Sequence, residues 1–147
     1  MTLAAQSTEA IRTRLAEIVG RANVLSGEQL ATYSAYGEEP LAAVFPSGEA
    51  DAVEVARLAN AQRIPVIVWG GGTKQSVEPV QPRNGIVLCT SRWSATVELD
   101  AANLTVTVGA GRIVDDLQRE LAGVRQFLPL DPVDSARSTI GGLLATN

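Results

Sequence analysis

The stretch PVIVWGGGTKQS, residues 65–76, contains an apolar run that ends in the three consecutive glycines Gly70, Gly71 and Gly72. Residues 64–69 are nearly all apolar, which predicts a strand covered on both faces, as in a parallel sheet under helices. A backbone without Cβ atoms lets successive N–H groups converge on an anion. The first glycine segment, residues 70–74, therefore predicts a phosphate-binding loop, with a plain tight turn as the alternative.

The composition is that of a globular chain and excludes several classes of site. The 147 residues are 46% hydrophobic and 19% charged, and the net charge is −4 without a basic stripe, so nucleic acid is not an expected partner. The single Cys89 suits a reducing compartment, and no apolar run reaches the ~18 residues of a membrane helix. Because the chain has no histidine, we expect no Ser-His-Asp catalysis and no metal site, and we assign no catalytic residue.

The residues before the stretch predict helices at 8–19 and 26–33, a strand at 42–45 and a helix opened by Ser47. Strand, helix and strand between residues 42 and 69 make a βαβ unit. The last of these helices shows a buried stripe of small and aliphatic residues, with Leu58 beside it: Ala52, Val55, Ala56 and Ala59.

The residues after the stretch predict a change of sheet type. A buried strand at 85–89 is followed by alternating apolar and polar residues at 97–108, with turn residues at 100–103, which predicts an antiparallel hairpin. A helix over residues 113–121 ends at Gly123. The fold class is therefore α+β, with a small parallel βαβ lobe at about residues 1–89 and a mainly antiparallel, incomplete lobe at about residues 90–147.

The second glycine segment, residues 138–142, reads STIGG. Two hydroxyls precede two residues without side chains, so this segment and the first could hold one pyrophosphate between them. A turn is again the alternative. No helix cap or polar tail is recognisable before Asn147, so we expect the chain to be a fragment.

Named nucleotide motifs do not fit these segments. The spacing around Lys74 fails the phosphate loop G-x-x-x-x-G-K-[ST], and Gln75 stands where the dinucleotide fingerprint G-x-G-x-x-G needs its last glycine. The stretch GAGRIV, residues 109–114, has bulky Val114 at that place, so we interpret it as a strand-to-helix turn. An NAD-binding Rossmann domain is therefore not expected.

Four stretches, taken in order, resemble the FAD-binding domain of the vanillyl-alcohol oxidase type, also called the PCMH type. They are the helix start at Pro46-Ser47 with Val53, then IPVIVWGGGTK, VTVGAGRIVDDLQREL and LPLDPVDSARSTIGGLLATN. The resemblance covers the chain from about residue 30 to its end. Within the family, GGGTK is similar to the FAD-binding E subunit of bacterial glycolate oxidase, a complex that oxidises glycolate to glyoxylate.

The resemblance implies FAD as cofactor, bound non-covalently, since some relatives bind flavin covalently through a histidine and this chain has none. It implies that the pyrophosphate is lined by Gly70, Gly71, Gly72, Thr73 and Lys74. It further implies contacts from Pro132, Ser135, Ser138 and Thr139, close backbone approach at Gly141 and Gly142, and a segment along the flavin from Ala145, Thr146 and Asn147. Trp69 departs from the family, which often has an arginine there.

The resemblance also implies that residues 1–147 are the FAD-binding portion of a flavin-dependent oxidoreductase subunit, without the substrate cap domain and inactive alone. The implied partners are other subunits of a complex that oxidises a 2-hydroxy acid. The expected location is the cytoplasm, or a membrane reached through partner subunits, and the cut sheet edge is expected to self-associate. The alternative is a non-catalytic interaction fragment that holds no flavin by itself.

Overall fold

The computed structural model describes residues 3–33, 39–74 and 84–146. The chain falls into two compact units, one formed by Met1–Val68 with Ser76–Cys89 and the other by Trp69–Gln75 with Thr90–Asn147. Both glycine segments belong to the second unit. Within the described ranges, no helix has the length and apolar character needed to cross a bilayer.

The first unit is built on a four-stranded sheet. Its strands β1 (Val24–Leu25), β2 (Ala42–Val44), β3 (Val66–Trp69) and β4 (Ile86–Cys89) lie in the spatial order β1-β2-β4-β3. β1 pairs with β2 in antiparallel fashion, and β2 pairs with β4 in parallel. The predicted parallel sheet in this half of the chain is confirmed.

Helices cover this sheet. α1 (Leu3–Val19) buries Ile11, Leu15 and Val19 at the spacing of one helix face, as predicted, and α2 (Glu49–Gln62) packs against the same core. The helix predicted at 26–33 is a 3₁₀ helix, Gly27–Tyr33, and a short 3₁₀ turn, Arg21–Asn23, precedes β1. The fully buried strand is β4, which the apolar run at 85–89 predicted.

Three details of the first unit differ from the sequence prediction. β3 is not covered on both faces, because it lies at the edge of the sheet and leaves Val66 38% and Val68 65% exposed. The βαβ order is present along the chain, but β4 separates β2 from β3. In α2 the N-cap is Gly48, while Ser47 donates from its backbone N–H and its hydroxyl to the carboxylate of Asp51.

The stripe predicted for α2 is also narrower than expected. Val55, Leu58 and Ala59 are buried, whereas Ala56 is exposed. A residue at this position lies on the solvent side of the helix because positions 55, 58 and 59 already define the face that meets the sheet.

The second unit contains the predicted hairpin. Its strands β5 (Thr96–Asp100) and β6 (Thr105–Val108) pair in antiparallel fashion. α3 (Val114–Ala122) buries Val114, Leu117 and Leu121 against the hairpin and against Ile140, and Gly123 is its C-cap, as predicted. The α+β class, with one parallel and one antiparallel sheet, is thus confirmed.

The hairpin departs from simple alternation at its two ends. The register shifts between Thr96 and Glu98, and Val97 is 74% exposed, because a bulge turns the side chain away from the face that Leu99 shares with the core. Leu104, expected in the strand, lies in the turn with φ 57°. The side chain of Asn103, and to a smaller extent its backbone N–H, donate to the carboxylate of Asp100 across this turn. These hydrogen bonds lower the pKa of Asp100.

The end of the chain holds an element that the sequence did not predict. Residues 140–145 form a short helix, α4 (Ile140–Ala145), and Thr139 is its N-cap. The glycine pair, for which the sequence left a phosphate contact and a turn open, therefore lies in the first turn of a helix.

Candidate functional site

The two glycine segments meet inside the second unit. The carbonyl oxygen of Arg137 lies 1.7 Å from the place a Cβ of Gly71 would take, and the Thr139 hydroxyl oxygen lies 2.3 Å from that of Gly70. Such distances exclude a side chain at either position. The absence of side chains at 70 and 71 is therefore required for contact between the two segments, whatever else it permits.

Further contacts hold the first glycine segment in place. Gly72 has φ +71°, a left-handed conformation that favours glycine, and its backbone lies against the indole of Trp69. The Thr73 hydroxyl lies 3.3 Å from the hydroxyl of Ser138, which is 2% exposed. Trp69, noted in the sequence as a departure from the family, thus packs under the turn.

The backbone donors of the first segment have no acceptor in the part of the chain that the structure describes. Among the described residues, no acceptor is found for the N–H groups at positions 70–74. These five successive donors follow the end of β3 and lie in a segment that is only partly buried up to Thr73 and exposed at Lys74. Consecutive N–H groups in such a turn form an anion-binding concavity.

The backbone donors of the second segment are used within the unit. The N–H groups of residues 140, 141 and 142 donate to Arg112 O at 2.8 Å, Ala110 O at 2.8 Å and Thr139 Oγ1 at 3.2 Å. The first turn of α4 is therefore satisfied by a neighbouring turn and by its own cap, and it offers no backbone donor to a ligand.

The neighbouring turn is residues 109–112, which connects β6 to α3 as predicted for the GAGRIV stretch. A Cβ on Gly141 would lie 2.8 Å from Ala110, and one on Gly111 would lie 1.9 Å from the carbonyl oxygen of Thr90. The turn is thus packed on both sides. Sequence reasoning did not find its role as a support for the second segment, although the run of small residues at 109–111 was a usable signal.

Arg112 anchors this turn to the hairpin and to α3. Its guanidinium contacts Glu120 Oε2 at 2.6 Å and Ser94 O at 3.2 Å, and Thr96 donates to the same Glu120 oxygen at 2.8 Å. The Arg112 and Glu120 side chains are 21% and 33% exposed. This partly buried cluster is a positional element, since its side chains do not line the pocket described next.

A pocket of about 760 Å³ opens beside the first segment. This volume falls within the usual ~300–1,000 Å³ of small-molecule sites. Its wall combines the end of the first segment with the 130–138 stretch and the outer face of α4. The lining residues are Gly72, Thr73, Lys74, Leu130, Asp131, Pro132, Val133, Asp134, Arg137, Ser138, Leu143 and Leu144.

The pocket gathers five of the predicted site residues and not the others. Gly72, Thr73, Lys74, Pro132 and Ser138 line it. Asn147 falls outside the described residues. The other predicted site residues do not line the pocket: Gly70, Gly71, Ser135, Thr139, Gly141, Gly142, Ala145 and Thr146. Their contact with a ligand stays a prediction.

Sequence reasoning missed the charged and apolar parts of the pocket wall. Asp131, Asp134 and Arg137 bring charges to it, while Leu130, Val133 and Leu144 are 41%, 110% and 73% exposed. Exposed aliphatic side chains around one opening indicate a surface that a ligand or another part of a protein covers. Their irregular spacing in a turn-rich stretch offered no periodic signal.

Comparison with known proteins places this geometry in a family. Residues 40–147 match the family described as FAD binding domain. The chain is 27% identical over 146 residues to glycolate oxidase subunit GlcD of Bacillus subtilis, covering 95% of this chain and 31% of that protein. It is 36% identical over 110 residues to D-lactate dehydrogenase of Archaeoglobus fulgidus, covering 74% of this chain and 24% of that protein.

A solved structure shows the same fold. p-Cresol methylhydroxylase with substrate bound superposes with a TM-score of 0.79 at 19% identity, over 92% of this chain and 28% of that one. The chain spans less than a third of the length of each of these relatives. The predicted FAD-binding fold is confirmed, and the glycolate oxidase relative is subunit GlcD, whereas similarity to an E subunit stays a prediction.

Proposed function

The chain belongs to the FAD-binding domain family, and we propose that its second unit holds the FAD pyrophosphate through the backbone of residues 70–74. FAD is the cofactor of this family. The observation that carries the proposal is the row of N–H groups at 70–74, for which the described residues supply no acceptor. A pyrophosphate supplies acceptors of the required charge, and a backbone without Cβ atoms lets it approach.

The pocket beside this loop suits the rest of the cofactor. Its volume of about 760 Å³ and its aliphatic wall, Leu130, Val133, Leu143 and Leu144, fit a flat ring system better than a small polar ligand. Thr73 and Ser138 place two hydroxyls at the polar end of the pocket. The polar and apolar parts of the site thus suit the pyrophosphate and a ring system of the dinucleotide.

Non-covalent attachment forms part of the proposal. None of the 147 residues is a histidine, and the single cysteine, Cys89, is 3% exposed in the first unit. Among the described residues, no histidine, cysteine or tyrosine lines the pocket. We expect FAD to leave on dialysis.

We further propose that the protein oxidises a 2-hydroxy acid, since glycolate and D-lactate, which the names of two relatives specify, are both of this class. Bound FAD supplies the two-electron acceptor for such an oxidation. The residues of this chain bind and orient the cofactor, and none of them is assigned to the substrate. The glycolate oxidase relative is a subunit, which supports a multi-subunit assembly for this protein as well. We propose the cytoplasm, or a membrane reached through partner subunits, as its location.

An interaction role without flavin is the alternative. It is favoured by the exposed apolar side chains Phe127, Val133 and Leu144, which are 75%, 110% and 73% exposed. Such a surface also supports self-association, and sedimentation velocity over a range of concentrations measures it. A protein that serves only as an interaction fragment would bind partners equally well with and without FAD.

The test is a calorimetric titration of the purified chain with FAD, on wild type and two variants at position 73. Thr73→Asp places a negative charge at the pyrophosphate, and we expect at least about a tenfold loss of affinity from charge repulsion. Thr73→Asn introduces a side chain of nearly the same size as aspartate but without the charge. This variant should bind FAD with an affinity within a few-fold of wild type. Gly71→Asp is unsuitable, because its Cβ would strike Arg137 O.

Circular dichroism of each variant verifies the fold before binding is compared. A folded wild-type chain that binds no FAD, or equal affinities for Thr73→Asp and Thr73→Asn, would contradict the proposal.

A further inference from the structure

Arg137 lies at the junction of the two glycine segments. Its carbonyl oxygen occupies the space that a Cβ of Gly71 would need, so its backbone is fixed directly against the first segment. Arg137 lines the pocket together with Thr73 and Lys74, and its side chain is 67% exposed. A long cationic side chain thus belongs to a residue whose backbone contacts the first segment.

The partner of Arg137 in the chain is weakly held. Its guanidinium lies 3.6 Å from Asp134 Oδ2, and both side chains are more than a third exposed. Ion pairs of this kind contribute little, because water solvates both charges. The backbone of Asp134 has a separate task, since its carbonyl oxygen accepts the N–H groups of Arg137 and Ser138.

The pocket wall is electrically balanced, which matters for an anionic ligand. Lys74 and Arg137 stand against Asp131 and Asp134. A pyrophosphate entering this pocket meets two carboxylates, so a cation must turn toward it. Arginine is suited to that because its planar fork donates two parallel hydrogen bonds to a phosphate.

We propose that Arg137 is a phosphate-binding residue of this site, exchanging its pair with Asp134 for the pyrophosphate when FAD binds. The inference rests on the proposed function and adds to it a side-chain cation from outside the backbone loop. It also gives Asp134 a role: its carboxylate competes with the phosphate for Arg137.

This competition separates the proposal from a purely structural ion pair. If the pair only stabilises the 134–138 turn, then Arg137→Ala and Asp134→Asn break the same interaction and have the same effect. If Arg137 binds phosphate, the two variants differ in their effect on FAD affinity. Arg137→Ala weakens FAD binding, and Asp134→Asn leaves it unchanged or strengthens it.

The experiment is a calorimetric titration of wild type, Arg137→Ala, Arg137→Lys and Asp134→Asn with FAD, ADP and riboflavin at two salt concentrations. The matched control is Arg119→Ala, which removes an exposed arginine with the same i, i+3 aspartate pairing outside the pocket. We expect Arg137→Ala to weaken FAD and ADP binding about tenfold and to reduce its salt dependence. Riboflavin, which lacks phosphate, should bind all variants alike.

The lysine variant should recover part of the lost affinity, because it keeps the charge but not the fork. Equal losses for Arg137→Ala and Asp134→Asn, or equal losses for ADP and riboflavin, would overturn the assignment of Arg137 to phosphate. Unchanged affinity in Arg137→Ala would overturn it as well. A folded wild-type protein that binds neither FAD nor ADP would contradict the proposed function itself.

Discussion

The two glycine segments of the second unit are similar in composition and opposite in use. Residues 70–74 hold three glycines and present N–H groups without acceptors among the described residues. Residues 138–142 hold two glycines, and the N–H groups at 140–142 are all bonded within the unit. A glycine-rich stretch therefore indicates close backbone approach, and in both segments another part of the chain makes it. The segments differ in their N–H groups, which only the first leaves open for the proposed ligand.

The difference follows from the element that each segment joins. The first follows a strand and turns through Gly72 at φ +71°, so its donors point away from any ladder. The second begins a helix, whose first N–H groups require acceptors. Thr139 and the 109–112 turn supply them. The second segment thus contributes to the site through the side chain of Ser138 and as a support for the first.

The largest expected effect comes from filling the contact between the segments. Gly71→Ala would place a Cβ 1.7 Å from Arg137 O, and neither atom can move without a shift of the backbone. We therefore expect a loss of about 3 kcal/mol in the free energy of unfolding, together with loss of FAD binding. Urea denaturation measures the stability. Gly48→Ala is the steric control, since nothing lies within 4 Å of its Cβ position, and as a change at the N-cap of α2 it should cost no more than about 1 kcal/mol.

A Gly71→Ala variant as stable as wild type would show that the segments do not pack as described, and the comparison between them would then lose its structural basis.

A smaller effect is expected from releasing the support of the second segment alone. Arg112→Met keeps the length of the side chain but removes its contact with Glu120, and we expect a loss of about 2 kcal/mol because the pair is partly buried. Amide exchange at residues 140–142 should accelerate, whereas FAD affinity should fall only a few-fold. Arg119→Met, which alters an exposed pair, is the control.

If Arg112→Met abolished FAD binding while the amides at 140–142 exchanged as in wild type, the supporting role of the 109–112 turn would be wrong.

The smallest effects distinguish the two hydroxyls. Thr139→Val removes the cap of α4 and should cost about 1 kcal/mol of stability. Thr73→Val removes a 3.3 Å contact with Ser138 and should change stability by no more than about 0.5 kcal/mol, while FAD affinity falls a few-fold. Thermal unfolding with and without FAD measures both. The reverse order of stabilities would contradict the assignment of cap and ligand roles.

Periodicity predicted much of this fold because local patterns determine it. The helix face of Ile11, Leu15 and Val19, the buried strand β4 and the hairpin were all readable from residue spacing. Edge position was not, since an apolar strand at residues 66–69 looks the same whether neighbours lie on one side or two. The bulge at Val97 and the turn at Leu104 depend on register between strands, which a single strand does not encode.

The sequence indicated the two segments of the candidate site, but not the contacts that each of their residues makes. Glycines at 70–72 and the STIGG stretch marked the two segments that meet. Which N–H groups remain unpaired depends on acceptors at 110 and 112, which lie far from the second segment along the chain. Arg137 and Asp134 carry charge into the pocket from a stretch without periodic pattern, so only the folded arrangement assigns them to it.

The most direct test of the contrast between the segments is hydrogen–deuterium exchange of backbone amides, measured by NMR on the chain with and without saturating FAD. We predict that the amides at residues 70–74 exchange rapidly in the free protein and become protected when FAD binds. The amides at residues 140–142 should be protected in both states. Protection that FAD induces at 140–142 and not at 70–74 would contradict it, because the pyrophosphate would then bind the segment whose donors are already used within the unit.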